Sequence, residues 1–183
     1  MTIKPNAFNR MKCKWILPAL LCAGFLPLQA QVKYEREYRI RKSQFPESAR
    51  QLMLPYTEEA RRLRFYREVD SNHSSYEMKF KLSRLHYSVE FDTEGALEDV
   101  EVRIKPVDMP DTTWESIESD LDRRFKNHKI RKIQQQYPRA AFPDDAKTLR
   151  NAFQNLLLPE IRYELMVRGR DASGFMDYEV QYD

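Results

Sequence analysis

Apolar and polar residues alternate with period two in two widely separated parts of the chain. Residues 76–78 and 87–92 form the first part, and residues 163–165 and 178–183 repeat its order of tyrosine, acidic and aliphatic positions. This similarity predicts a duplicated β unit. Because charged residues stand at every second position, the pattern favours half-buried antiparallel strands over the apolar runs of a parallel sheet.

Residues with helical spacing come before and between these strands. Pro46 opens a short predicted helix over 46–54 that Pro55 stops, and residues 57–59 resemble a second helical start before a strand that contains Leu63. Residues 111–125 carry an apolar stripe at helical spacing. An additional helix near 143–157 begins at Pro143 and carries Leu149, Phe153, Leu156 and Leu157 on its apolar face.

The predicted architecture is α+β, with two helix-plus-antiparallel-meander repeats at 43–105 and 106–183 packed as one globular unit. The helices are expected on one face of the sheet. Residues 31–42 are interpreted as an N-terminal arm or an edge strand. The second repeat lacks a counterpart of the closing strand at 100–104, so either the sheet ends there or the natural chain continues past Asp183.

A helix followed by an antiparallel meander, given twice, resembles the tandem-repeat PepSY-like group, which is related in fold to β-lactamase-inhibitor proteins. Trp114 of the second helix, the strands at 76–78 and 87–92, and Gly95 at the turn carry the resemblance, which covers about 43–183. The additional helix near 143–157 departs from the pattern. The resemblance implies a secreted, non-catalytic domain of bacterial envelope type that binds other proteins in an inhibitor-like manner.

The first thirty residues have the layout of a secretory signal. Basic residues at 4, 10, 12 and 14 precede an apolar run at 15–28, and Ala30 completes a small-residue cleavage site that would leave Gln31 first. Met11 is an alternative start. The apolar run is too short for a good membrane span, so we expect no stable membrane insertion after removal of residues 1–30 and a periplasmic or secreted location.

Removal of this segment changes what the composition implies. Four of the 31 basic residues and none of the 28 acidic residues lie in it, so the formal net charge falls from +3 to −1. Nucleic-acid binding needs a clustered excess of Lys and Arg, and the balanced remainder argues against it. Cys13 and Cys22 are also lost, and core packing must then hold the domain together.

The residues give no catalytic motif. His73, His86 and His128 lack the close spacing of a zinc site, and no serine stands in a strand-to-helix nucleophile elbow. We therefore predict no cofactor, no metal and no enzymatic activity. A carboxylate-based hydrolase stays as a less favoured alternative, because Asp and Glu are abundant and a catalytic pair of carboxylates has no fixed spacing along the sequence.

If helices cover the apolar face of the sheet, the opposite face is expected to be polar and open. Mixed charges on such a face suit specific binding of another envelope or secreted protein. A solvated face without a partner is the competing interpretation, and a structural or oligomeric envelope protein that uses an end strand at 178–183 is a further alternative. The candidate partner-binding residues are Lys79, Lys81, His86, Glu90, Arg103, Arg162, Glu164 and Arg168.

Overall fold

A computed structural model describes residues 31–32, 36–70, 73–171 and 174–183. The fold is α+β, as predicted, with one antiparallel sheet and three α-helices in the described part of the chain. The strands are β1 (Gln31–Val32), β2 (Arg36–Ile40), β3 (Arg61–Asp70), β4 (His73–Leu82), β5 (Leu85–Phe91), β6 (Leu97–Ile104), β7 (Asn127–Pro138), β8 (Arg162–Asp171) and β9 (Gly174–Tyr182). The helices are α1 (Glu47–Thr57), α2 (Asp111–Arg124) and α3 (Asp145–Phe153).

The sheet is a meander in which every strand from β2 to β9 pairs with its neighbours in the chain. The order across the sheet is β1-β9-β8-β7-β6-β5-β4-β3-β2, and all pairs are antiparallel. Helix α1 connects β2 to β3, α2 connects β6 to β7, and α3 connects β7 to β8. The alternation of apolar and polar positions therefore gives the whole sheet one apolar and one polar face.

All three helices pack against the apolar face. Phe45, just before α1, contacts Phe65, Tyr76 and Phe91 of the sheet, with ring centroids 5.0 to 5.8 Å apart. At the other end of α1, Tyr56 stacks on Phe153 of α3 at 4.6 Å.

The α2 end of the core is organised around an aromatic contact and a glycine. The ring of Phe125 lies 4.8 Å from that of Tyr178. It also fills the space in which Gly169 lacks a side chain, because a Cβ there would lie 2.4 Å from the Phe125 ring. Of the tyrosines on the apolar face of the sheet, Tyr87, Tyr163 and Tyr178 are buried as the alternation predicts, whereas Tyr76 and Tyr182 are partly buried.

The connection between β1 and β2 requires the sheet to curl. Only three residues separate Val32 from Arg36, so these Cα atoms lie within ~15 Å of each other, although the two strands stand at opposite edges. A flat nine-stranded sheet would hold its outer strands ~38 Å apart. Because each helix is ~10 Å wide, three helices cannot fit inside a curl whose edges lie this close together. The helices therefore lie outside the curl, and the polar face lies inside.

Two helix predictions are corrected in detail. Pro55 does not stop α1 but lies inside it, and residues 58–59 form a turn rather than a helical start. Near the end of a helix a proline removes only one backbone donor, and Thr57 Oγ1 caps the last turn by donating to the Met53 carbonyl oxygen at 3.0 Å.

Helix α3 is present near the predicted place but ends at Phe153, before Leu156 and Leu157. Asn155 turns the chain with a φ of 48°. The Leu156 carbonyl then accepts a 2.9 Å bond from the Tyr137 hydroxyl, which anchors the end of the helix to the sheet.

Two predictions concern residues at the margins of the described chain. The predicted signal at 1–30 lies outside the described residues. The end strand at 178–183 is not a wholly unpaired edge, because Tyr178 and Glu179 pair with Val32 and Gln31 of β1. Within the described residues, no helix is long and apolar enough to cross a membrane.

Gly95 generates the first testable prediction. Its φ is 83°, and an added Cβ would lie 2.3 Å from Ser48 Oγ and 2.8 Å from Pro46 Cβ, where the start of α1 meets the β5–β6 turn. We expect Gly95→Ala to lower the free energy of unfolding by about 2 kcal/mol, from backbone strain and the clash together. Chemical denaturation measures the change.

Gly174→Ala is the matched control. Gly174 also has a positive φ, 126°, but no atom lies within 4 Å of an added Cβ. We expect this variant to lose about 1 kcal/mol, the backbone cost alone. Equal losses in the two variants would contradict the packing of α1 on Gly95.

Candidate functional site

The polar side chains of β3 to β9 line the inside of the curled sheet, and we call this surface the inner face. It is not the open, solvated face that the alternation predicts, because Glu77 and Glu164 are each 6% exposed. Strand β7 shows the enclosure most clearly, since five consecutive residues, 133–137, are buried on alternating faces. The buried polar members of the inner face are Glu68, Ser75, Glu77, Ser88, Gln134, Gln136 and Glu164.

Carboxylates are concentrated in one part of the inner face. Glu77 stands directly opposite Glu90, and Glu90 directly opposite Asp99. Burial, together with the charges of Glu90 and Glu164, raises the pKa of Asp99 well above its ordinary value. Its carboxylate accepts a 2.8 Å hydrogen bond from Gln136.

Glu101 occupies the next row of the same cluster. Burial raises the pKa of its carboxyl well above the usual range, and the charges of Glu164 and Asp99 add to the effect. The side chain of Gln134 donates a hydrogen bond to it. Protonation of Glu101 would reduce the repulsion among these carboxylates.

Lys79 neutralises the acidic side of the inner face nearest β2. Its Nζ lies 2.6 Å from Glu37 Oε1 and 2.7 Å from Glu77 Oε2. Burial acts to raise the pKa of Glu77, but bonds with Glu68, Lys79 and Ser88 lower it overall. Burial likewise acts to lower the pKa of Lys79, and the charge of Glu77 reverses this and raises it.

The same carboxylates meet the spacing expected of cation ligands. Oxygen atoms of Glu37, Glu68 and Glu77 all lie within 4.8 Å of one another. The Lys79 ammonium already contacts two of them. We therefore interpret the group as an internal ion-pair network rather than as a metal site.

Cationic residues surround a cavity at the other part of the inner face. We call this cavity, of about 240 Å³, the basic pocket. Ser88 and Gln134 are its buried polar residues, and Lys79 is already held by its two carboxylates. Its remaining basic lining residues are Arg62, Arg64, His86, Arg103 and Lys132.

Four of these cations form no ion pair with a described residue, although the charge of Lys132 partly offsets the raised pKa of Glu101. Among the described residues, none with an acidic side chain lies within 4.0 Å of Arg62, Arg64, Arg103 or Lys132. The positive potential is visible in a neighbouring group, since slight burial and the charges of Lys81 and Arg103 lower the pKa of His86. Charges of one sign that line a concave surface attract ligands of the opposite sign.

Two irregularities of the sheet place these cations. The register of β3 shifts between Arg61 and Arg64, and Arg62 within the shift has a φ of 58°. The register of β7 shifts between Ile130 and Lys132. Such bulges bend a strand and redirect its side chains, and they are frequent beside functional sites.

Gln134 adds an unsatisfied acceptor to the pocket. Its amide nitrogen donates to Glu101, but its Oε1 atom is buried without a hydrogen-bond partner. A buried polar atom without a partner costs about 1–3 kcal/mol. A ligand that brings an N–H or O–H donor to this atom would recover that cost.

The eight predicted partner-binding residues divide by their contacts. Three form ion pairs: Lys79 with Glu37 and Glu77, Arg162 with Asp183, and Arg168 with Asp177. Glu90 accepts a hydrogen bond from Ser75, and Glu164 is buried. His86 and Arg103 line the basic pocket, and Lys81 pairs with His86 across β4 and β5. Arg62, Arg64, Lys132 and Gln134 were not among the candidates, because the bulges that direct Arg62 and Lys132 have no signature in the alternation.

No protein-family model, curated protein or solved structure matches this chain. The resemblance to the PepSY-like group therefore stays a prediction. Any functional argument rests on the geometry of the inner face.

Lys79 gives a prediction about this network. We expect Lys79→Met to lower the free energy of unfolding by about 2 kcal/mol, because it leaves the buried Glu77 carboxylate without its counter-ion. The loss stays below that of a fully buried pair, since Lys79 keeps 31% of its side chain exposed. Lys81→Met, on the same strand and face, is the control, and a loss there as large as at Lys79 would contradict the network.

Glu101 gives a prediction about pH. A carboxyl group whose pKa is higher in the folded than in the unfolded protein binds its proton more tightly in the folded protein. The fold therefore becomes less stable as the pH rises from the pKa of the group in the unfolded protein through its pKa in the folded protein. We therefore expect Glu101→Gln to raise the melting temperature at pH ~8 and to change it much less at pH ~4, where the wild-type carboxyl is largely protonated in both states. Calorimetry at both pH values measures the difference.

The control for this prediction is Glu118→Gln, at an exposed position of α2. A gain in stability at Glu101 that is the same at both pH values, or that Glu118→Gln reproduces, would rule out a buried, protonated Glu101.

Proposed function

We propose that this chain is a non-catalytic binding module that acts in the periplasm or outside the cell. It binds an acidic surface of another envelope or secreted protein through the basic end of its inner face. The observation that carries the proposal is the convergence of Arg62, Arg64, Arg103 and Lys132 on one pocket without carboxylate partners among the described residues. Cations that are merely solvated at a surface do not need to converge on one cavity. Cations that stabilise a fold are normally paired with carboxylates.

The contrast within the inner face supports this assignment. Lys79, Arg162 and Arg168 are each committed to a carboxylate of the chain itself. Arg62 and Lys132 lie at strand bulges, and the left-handed conformation of Arg62 costs ~1–3 kcal/mol. Strain retained at a concave, charged position is typical of a binding site.

The proposed location rests on the signal-like layout of residues 1–30. The proposed architecture is a tandem PepSY-like repeat. The order helix α1 then four strands, followed by α2, one strand, α3 and two strands, supports two repeats with α3 as an insertion. On this interpretation β1 stands in the place of a closing strand for the second repeat.

A carboxylate-based hydrolase is less well supported than a binding module. Asp99 and Glu101 do combine proximity with raised pKa values, as such an enzyme requires. However, neither of them lines the basic pocket, and both accept hydrogen bonds from glutamine side chains. These carboxylates are better explained as parts of the internal polar network.

Charge reversal at the pocket tests the proposed function. The full chain would be used as bait in an envelope extract with chemical cross-linking, next to an Arg64→Glu, Arg103→Glu, Lys132→Glu variant. We expect the variant to lose roughly tenfold or more of the captured partner, since opposite charges steer and hold the complex. Quantitative mass spectrometry of the captured protein measures the loss.

The control variant carries Arg41→Glu, Lys126→Glu and Lys147→Glu, the same change of net charge at exposed positions away from the pocket. It should capture the partner as the wild type does. Equal capture by the pocket and control variants would contradict the proposed site. A capture product that is only this chain itself would favour the oligomeric alternative.

A further inference from the structure

A second cavity adjoins the basic pocket at the ends of β5 and β6. We call it the flanking groove; it has a volume of about 830 Å³ and shares His86, Arg103 and Lys132 with the pocket. The two cavities are therefore adjacent, with these three side chains between them. A ligand group seated among the pocket cations would extend directly into the groove.

The flanking groove has a different chemistry from the pocket. Its apolar lining residues are Leu85, Ile104, Pro106, Val107, Trp114, Ile130 and Ile133. Val107 is 84% exposed, so a ligand that covers it would gain the free energy of burying an aliphatic side chain. Arg84, Lys105, Asp108 and Arg131 also line the groove, so charged side chains stand among the apolar ones. The Asp108 carboxylate accepts a 2.8 Å hydrogen bond from the Lys105 backbone N–H.

Resting on the proposed function, we infer the kind of segment that the partner presents. It is an extended peptide in which one or two acidic residues precede apolar residues. A carboxylate lies among Arg62, Arg103 and Lys132, and a backbone N–H donates to Gln134 Oε1. The following apolar side chains cover Val107 and Trp114 in the flanking groove.

The charged side chains among the apolar residues of the groove favour a peptide over a lipid. An acyl chain would place its CH₂ groups against three cationic side chains, whereas successive side chains of an extended peptide point in opposite directions and can avoid them. A peptide supplies the carboxylate, the N–H donor and the apolar groups within a few residues.

Trp114 provides a direct readout of occupancy. The chain has two tryptophans, so the full chain with Trp15→Phe keeps Trp114 as its sole tryptophan. Three blocked synthetic peptides serve as probes: Asp-Asp-Leu-Leu-Val, its amide counterpart Asn-Asn-Leu-Leu-Val, and Asp-Asp-Ser-Ser-Thr, which lacks the apolar part. Titration of each would follow the emission of Trp114.

We expect the acidic–apolar peptide to bind roughly tenfold or more tightly than either of the other two, and to shift the Trp114 emission to shorter wavelength. Arg103→Gln with Lys132→Gln should weaken its binding roughly tenfold, and Val107→Asp should remove its advantage over the acidic–polar peptide. Lys147→Gln is the control and should change neither. Circular dichroism establishes that each variant is folded.

Three results would overturn the inference. They are equal binding of the three peptides, saturable binding that the pocket and groove variants leave unchanged, and sedimentation with phosphatidylglycerol vesicles while no peptide binds. If capture of the partner depends on the pocket cations but no peptide binds, the proposed function stands and the inferred segment is wrong. If the peptides bind as expected but capture is insensitive to charge reversal, the site is correct and the proposed partner interaction is wrong.

Discussion

A carboxylate that is removed from water needs a donor, a counter-ion or a proton, and the inner face of this protein is arranged around that requirement. The helices cover the apolar face, so the curl of the sheet encloses the polar one. Each way of compensating a carboxylate is then used: Lys79 neutralises Glu77, Gln136 donates to Asp99, and a raised pKa favours the protonated form of Glu101. The enclosure thus converts a row of ordinary strand charges into a connected network.

This network also explains why the pocket cations stand out. Lys79 has two carboxylates within ion-pair distance, whereas Arg62, Arg64, Arg103 and Lys132 of the basic pocket form no ion pair with a described residue. The acidic cluster and the basic pocket share one continuous surface, and Gln134 contacts both through the two ends of its amide. A ligand that changes the hydrogen bonding of Gln134 would therefore act on the protonation of Glu101.

Period-two alternation was sufficient to predict the strands, their faces and the burial of residues such as Phe91 and Tyr163, because side-chain direction along a strand is fixed by geometry. It could not predict the inward curl, which depends on the pairing of β1 with β9 at the opposite end of the chain. For that reason Glu164 was expected to be open and is buried. Likewise Arg62 and Lys132 were missed, since a bulge is a local change of register without a distinct residue pattern, whereas Arg103 follows the alternation and was found.

The meander also has a consequence for how the protein folds. From β2 to β9 every strand pairs with a strand adjacent in the chain, so each pairing closes a connection far shorter than the one between β1 and β9 and costs less chain entropy. The pairing of β1 with β9 is the exception, because it joins the two ends of the described chain. The sheet can consequently assemble progressively from neighbouring strands, and its final curvature is set when the N-terminal segment docks, which is the slowest contact to form by this reasoning.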